Sequence, residues 1–314
     1  MKSEGEFFRD RSILITGASG FIGQHLLKEF KKYTTSIAVI QRNKIPIEAV
    51  DLPIRQFACD IGNRRDLHSC LTQCDPEIIV HLAGYKERNT NLLGFSEGLN
   101  TNVMGSLNIF SEALDKEHLE SMVVLGTAEE YGNNPCPYLE TMRESPVSPY
   151  SLSKTCISHM ALLFNSLYQL PITVLRPTLA YGPGQENDMF LPSLISSLHR
   201  NRAFRMTTGE QTRDFLYIDD LIDAILRVPR YPGSRGHIIN IGSGMPVKII
   251  DIAYLVEKLM KKKNLIHSGQ VPYRDNEIMK YCVDIGKAVT VLHWKPRVSL
   301  HAGLTKTIHS ITKS

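Results

Sequence analysis

Thr16-Gly17-Ala18-Ser19-Gly20-Phe21-Ile22-Gly23 follows directly on the apolar run Ile13-Leu14-Ile15 and opens a helical pattern with Leu26, Leu27 and Phe30. A strand that passes through three closely spaced glycines into a helix leaves few folds open. The glycines let the backbone turn sharply, approach a pyrophosphate and bring helix and strand together. The N-terminal N–H groups of the helix then face the phosphates. Three glycines alone would signal only a turn. Their place between strand and helix near the N-terminus marks a dinucleotide-binding turn, with Gly17, Ser19, Gly20, Phe21, Ile22 and Gly23 as its contacts.

The segments that follow keep the same alternation. Ile37–Ile40, Ile54–Ala58, Ile78–Val80, Met122–Leu125 and Ile172–Leu175 read as strands. Helical spacing runs over Asn63–Cys74, Asn100–Asp115 and from Ser148-Pro149 to about Gln169, with Pro149 suited to a first turn. Such alternation predicts an α/β fold, a Rossmann-type doubly wound parallel sheet. Beyond Arg176-Pro177 the texture changes to short helices and loops punctuated by Pro183, Gly184, Pro192 and Gly209. Phe215–Ile218 and Ile238–Ile241 read as strands, and Asp219-Asp220 and Val247–Lys263 as helical. The expected division is a dinucleotide-binding domain over 1–176, with strands returning from about 214–241, and a smaller mixed α/β substrate-binding lobe over 177–314.

Tyr150 and Lys154 stand one helical turn apart and share a face. An unperturbed phenol, with a pKa of about 10, is a poor base at neutral pH, and a neighbouring ammonium lowers it. Oxidising a carbinol by hydride removal also requires its hydroxyl proton to be taken, which a Tyr/Lys pair does and reverses. Alone, this spacing would be an ordinary exposed pair. Thr127 strengthens it, because it closes the strand Met122–Leu125 and ligands bind beyond the carboxyl ends of such strands. It suits a substrate hydroxyl or ketone. Glu129 is either a second acid/base or a solvated loop carboxylate.

Bulk properties narrow the partners. With 314 residues, 42% hydrophobic and 22% charged, the chain has the composition of a globular protein with ample core. A net charge of +4 fits an anionic small molecule better than nucleic acid. The six cysteines show neither zinc nor disulfide-framework spacing, so no metal is expected and reduced thiols in the cytoplasm are. No signal peptide or membrane-length apolar run is expected either.

Taken together, Thr16–Gly23, Asp60-Ile61, His81-Leu82-Ala83, Asn102 with Gly105, Thr127, Tyr131-Gly132, Tyr150/Lys154, Arg176-Pro177, Tyr181–Gly184, Arg213-Asp214-Phe215, Asp219-Asp220 and Trp294-Lys295-Pro296 make a specific pattern. The chain resembles the extended short-chain dehydrogenase/reductases of the nucleotide-sugar epimerase/dehydratase family nearly end to end. The resemblance implies Thr127, Tyr150 and Lys154 as the catalytic set, with Lys154 also holding the nicotinamide ribose. It implies Asp60 and Ile61 at the adenine, and Leu82, Ala83, Gly84 and Asn102 along the coenzyme cleft. Arg213 matches the residue that grips a nucleotide-sugar diphosphate, Arg274 a second phosphate or ribose contact, and Met189 a further substrate contact. The usual Pro-Gly-Asp after Arg274 is absent, and Leu179 replaces a common Asn. A homodimer paired through the helices at Asn100–Asp115 and after Pro149 is implied as well. Val103, Leu107, Ile109, Phe110, Met160, Leu162, Leu163 and Phe164 supply apolar residues on more than one side of those helices.

The second strand ends Ile40-Gln41-Arg42, without the acidic residue that an NAD site places roughly twenty residues past its glycines. Arg42 points to NADP through the 2′-phosphate, while the Gln41 amide would serve NAD. Thr127-x-Glu129 fits 4,6-dehydratases. The Glu129-Glu130-Tyr131-Gly132 form also resembles reductases of 4-keto-6-deoxy nucleotide sugars. The sequence reading puts the reductase first, then a 4-epimerase or 4,6-dehydratase with retained cofactor. A dinucleotide-binding sensor or scaffold without catalysis is the alternative of another class.

Overall fold

The computed structural model describes residues 3–42, 54–85 and 92–313. In chain order its helices and strands are α1 (Glu4–Phe8), β1 (Ile13–Thr16), α2 (Phe21–Phe30), β2 (Ile37–Gln41), β3 (Arg55–Ala58), α3 (Arg64–Cys74), β4 (Ile78–His81), α4 (Leu92–Gly98), α5 (Gly105–Ala113), β5 (Ser121–Leu125), α6 (Pro149–Tyr168) and β6 (Ile172–Pro177). There follow β7 (Leu179–Tyr181), α7 (Phe190–His199), β8 (Phe204–Arg205), β9 (Thr212–Tyr217), α8 (Ile218–Arg230), β10 (Ile238–Ile241), β11 (Pro246–Lys248), α9 (Ile249–Leu259), β12 (Ile266–His267), α10 (Gly286–Leu292) and α11 (Leu300–Lys313).

Seven strands form one parallel sheet in the order β10-β6-β5-β4-β1-β2-β3. Both faces are covered, which is why its central strands read as continuous apolar runs rather than as alternation. Ile13 and Ile15 enter the core beneath α2 and α8, whereas Leu14 enters the one beneath α3, α5 and α6. Strand order reverses at β1, so its carboxyl end and that of β4 flank the crevice where such sheets bind ligands.

Of the strands expected to return to this sheet, Ile238–Ile241 does so by pairing with β6. Phe215 belongs instead to β9, the middle strand of a separate sheet ordered β11-β9-β7. The expected helix over Val247–Lys263 is shorter at both ends. Pro246–Lys248 pairs antiparallel with β9, and Lys261 has a left-handed backbone just past α9. The C-terminal segment is tied to α8: Asp220 accepts from the N–H groups of Arg297 and Val298, and fully buried Trp294 donates from Nε1 to the Asp220 carbonyl.

The helix expected over Asn100–Asp115 is interrupted by a π-helical turn at Leu99–Met104, which apolar periodicity does not reveal. Several apolar residues of this region pack inward: Ile109, Phe110 and Phe164 are buried beneath the sheet. Leu99, Met104, Leu163, Leu167 and Tyr168 are exposed. Among the described residues no helix is long and apolar enough to cross a membrane.

Candidate functional site

The glycine turn is a cradle closed to side chains. Gly17 has a left-handed backbone (φ 73°), and a Cβ there would stand 2.7 Å from the Ala83 nitrogen. A Cβ on Gly23 would overlap the Gly17 carbonyl and stand 2.6 Å from Ala18 Cα, so α2 could not lie this close to the turn. Gly20 occupies the N-cap of α2 and no side chain caps it, which leaves first-turn N–H groups for an anion. Phe21 and Ile22 open that helix, and Ser19 fastens it by accepting from Gln24 Nε2 at 3.0 Å.

The other expected coenzyme contacts line the same strand ends. Ala83 N–H donates to Thr16 Oγ1 at 3.1 Å and sets the course of Leu82, Ala83 and Gly84 after β4. Asp60 is exposed and accepts from Gly62 N–H at 2.8 Å; Ile61 is buried, with its carbonyl held by Asn108 Nδ2. At the end of β2, Gln41 is buried and donates from Nε2 to Gln56, while its Oε1 has no partner among the described residues. This acceptor lies where a dinucleotide crevice holds a ribose hydroxyl. Arg42 is exposed, and Asn43 after it lies outside the described residues. A side-chain-free turn, an uncapped helix and an orphaned acceptor at the strand ends together fit a bound dinucleotide.

The residues expected at the reaction centre converge on the end of β5. Ser148 caps α6 in a reciprocal arrangement with Ser151, and Pro149 takes the first turn, as the sequence implied. Tyr150 and Lys154 follow on one face, with Lys154 Nζ 6.0 Å from the Tyr150 ring centroid. Lys154 is buried, and its Nζ donates to the Leu125 carbonyl at 2.7 Å. A Cβ built on Gly84 would lie 3.6 Å from that Nζ, so the loop after β4 passes over the lysine. Burial pulls the Lys154 ammonium down to about 8, and the Glu130 charge opposes the fall. Thr127 is buried; its Oγ1 accepts from Glu129 N–H at 3.2 Å, which leaves the hydroxyl proton to donate.

Asn102, in the π-helical turn, clamps three segments. Its Oδ1 accepts from Tyr85 N–H, and its Nδ2 donates to the Tyr85 carbonyl and to Ser153 Oγ at 2.9 and 2.8 Å. Ser153 in turn donates to the Tyr150 carbonyl. Behind this clamp a polar chain crosses the core. Thr16 Oγ1 lies 2.7 Å from His81 Nδ1, His81 Nε2 lies 3.0 Å from Ser106 Oγ, and Ser106 donates to the Asn102 carbonyl. Every proton in it is accounted for when His81 is neutral with its hydrogen on Nε2. Burial, with Lys154 nearby, pushes the imidazole down to about 3.

Arg213 and Arg274 form a second cluster. Arg213, on β9, donates to the carbonyls of Thr212 and Ile278 at 2.7 and 2.6 Å and pairs with Glu277. Arg274 is exposed, and its carbonyl accepts from Glu277 N–H at 3.1 Å. Met189, half-buried, stands at the N-cap of α7. Tyr281, absent from the sequence reading, links the clusters: the Arg213 guanidinium lies 5.8 Å from its ring. Burial, together with the Glu129 charge, raises this phenol well above its ordinary value.

Sequence reasoning also missed Glu130, Arg176 and Glu144 as a buried ionic group. One signal was present: Thr127-x-x-Glu130 is the spacing of a reciprocal helix cap, and the short helical turn Ala128–Tyr131 is capped in that way.

Residues 13–242 match the model of the NAD dependent epimerase/dehydratase family. An uncharacterised UDP-glucose epimerase of Bacillus subtilis is 28% identical over 309 residues, covering 94% of this chain and 96% of that protein. The UDP-glucose 4-epimerase of Thermotoga maritima, solved with UDP-glucose, superposes with a TM-score of 0.89 at 25% identity, over 96% of this chain and 99% of that one. The UDP-glucuronic acid 4-epimerase of Bacillus cereus, solved with UDP-glucuronic acid and NAD, gives 0.87 at 28% identity over the same shares.

Proposed function

The chain belongs to the NAD-dependent epimerase/dehydratase family, and on that footing we propose that it is a nucleotide-sugar 4-epimerase. The observation that carries this reading is the buried Lys154, bonded to the end of β5 beside Tyr150 and Thr127. NAD, when bound, would supply a reversible hydride acceptor. Gly17, Gly20 and Gly23 would admit its pyrophosphate, and Gln41 Oε1 would accept from a ribose hydroxyl. Tyr150 takes the proton of the C4 hydroxyl and later gives it back, Lys154 holds the phenol acidic, and Thr127 donates to the C4 oxygen. In this reading residues 1–176, with Ile238–Ile241, carry the dinucleotide, and 177–314 carry the nucleotide sugar near Arg213, Arg274 and Met189.

A 4,6-dehydratase must also take a proton from C5 and help a hydroxyl leave C6. The turn after Thr127 offers one carboxylate for that work, Glu129. Ala128 is apolar and buried, and Glu130 is consumed by Arg176, Ser158 and the Thr127 N–H. The reductase reading rested on Arg42 and on the Glu129-Glu130 doublet. Arg42 lies exposed, Glu130 is structural, and the Bacillus cereus relative holds NAD, so NAD is the better-supported coenzyme and epimerisation the better-supported outcome. The exposed Leu99, Met104, Leu163, Leu167 and Tyr168 support a homodimer through the π-helical turn and α6.

The test is incubation of the purified protein with UDP-glucose, UDP-glucuronic acid and dTDP-glucose in the presence of NAD. The expected product is a C4 epimer with no net change in reduced nicotinamide. A 4-keto-6-deoxy product, or NADPH consumed mole for mole, would overturn the assignment.

A further inference from the structure

Glu130 is a fully buried carboxylate one residue beyond Glu129. Its Oε1 accepts from Thr127 N–H at 2.8 Å, and its Oε2 accepts from Ser158 Oγ at 2.7 Å. Oε2 also lies 2.6 Å from Arg176 Nη2, which reaches Glu144 at the same distance. The Thr127 N–H and the Arg176 guanidinium can only donate, and an ion pair this short with a buried guanidinium is the geometry of a carboxylate anion. Burial pushes the carboxyl up, and the Arg176 charge, Ser158 and the Thr127 N–H oppose the rise. Arg176 is itself fully buried, and its Nε and Nη1 have no hydrogen-bond partner among the described residues. The backbone makes room for the carboxylate: a Cβ on Gly126 would overlap Glu130 Oε1.

Two of the Glu130 partners lead to the reaction residues. Thr127 is the residue it caps, and Ser158 lies one turn after Lys154 on the same face of α6. Among the described residues, the titratable groups that face Lys154 are Glu130 from the turn after β5, His81 from β4 and Tyr150 from its own helix. His81 is neutral and Tyr150 must cycle its proton, so Glu130 is the standing negative charge among them.

We propose that Glu130 is a positioning residue with two separable duties: its carboxylate geometry fixes the turn that presents Thr127, and its charge keeps Lys154 an ammonium. The catalytic relevance of this inference rests on the roles given above to Thr127 and Lys154. Its physical content does not, because the protonation of Lys154 is measurable without any substrate.

The experiment follows the lysine Cε signals of carbon-13-lysine-labelled protein through a pH titration, with Lys154→Arg identifying the resonance. Glu130→Gln keeps an acceptor for the Thr127 N–H and loses the charge. In it, Lys154 gives up its proton at a pH lower by about 1 unit or more. Glu130→Asp keeps the charge and loses reach, so Lys154 titrates as in the parent while turnover on a UDP-sugar falls. Should Glu130→Gln fail to fold because Arg176 is left half-paired, the Glu130→Gln/Arg176→Met double variant removes both charges for the same titration. An unshifted Lys154 in either Gln-bearing protein overturns the proposal. Absence of epimerase activity in the parent protein overturns the functional reading and leaves the titration result standing.

Discussion

Lys154 Nζ donates to the main-chain carbonyl of Leu125 at 2.7 Å, tying the second turn of α6 to the last residue of β5. The bond gives the lysine a structural duty beside its electrostatic one, and the two can be separated. Lys154→Ala strips a buried carbonyl of a donor, which costs about 1–3 kcal/mol, and also removes the charge beside Tyr150. Tyr150→Phe leaves the bond in place. The expected outcome is that Lys154→Ala loses melting temperature and turnover together. Tyr150→Phe loses about 10²–10⁴-fold in turnover at an unchanged melting temperature. Near-parental turnover in Tyr150→Phe would remove that phenol from the chemistry.

The contact between Gly23 and the Gly17 carbonyl makes a single methyl group a test of the cradle. Gly23→Ala pushes the start of α2 away from the turn and turns its N–H groups off the phosphates. Calorimetric titration with NAD is expected to show affinity reduced by tenfold or more, equivalent to about 1.4 kcal/mol. Binding as tight as in the parent would mean that the coenzyme does not use this helix terminus.

His81 makes the fold acid-sensitive in a defined window. Its folded-state value lies near 3 against an ordinary 6.5, so between these limits the unfolded chain takes up a proton that the folded one refuses. The stability contributed by the neutral imidazole is complete above the upper limit and is lost as pH falls towards the lower, by about 1.4 kcal/mol per unit. Denaturant midpoints measured across that range should fall with pH in the parent and fall less in His81→Asn. Equal slopes would place the titration elsewhere.

The exposed apolar residues of α6 provide a test of assembly. Leu163→Arg together with Leu167→Arg is expected to convert a dimer to a monomer in sedimentation velocity at micromolar protein. Both side chains lie outside the sheet core, so the melting curve of the monomer should remain cooperative. A parent protein that already sediments as a monomer would dispose of the interface.

Much of this molecule can be read from its residues because its signals are local. The glycine turn, the apolar strands and the Ser148-Pro149 helix start each depend on neighbours a few positions away, and each stands where the sequence places it. What escapes is what depends on distant partners. The end of β9, Phe215–Tyr217, is as apolar as a central strand, yet β9 lies between β7 and β11 in another sheet. The π-helical turn carries Asn102, whose side chain meets both Tyr85 and Ser153, and no periodicity records those distant partners. Arg213 reads as a free cation until Glu277, 64 positions later, folds against it. Glu130 and Arg176 each stand in a recognisable motif, but their buried pairing with one another is visible only in the fold.

The seventh strand of the large sheet, β10, arrives more than sixty residues after its neighbour β6. A polypeptide severed after Pro177 would therefore expose the whole flank of β6, with unsatisfied amides and carbonyls inviting another molecule to adhere. Synthesis on the ribosome meets the same difficulty: the growing polymer must carry that raw border until Ile241 emerges. The two halves thus share one act of folding, and dissecting the gene at the boundary between them should yield aggregates where intact material stays dispersed.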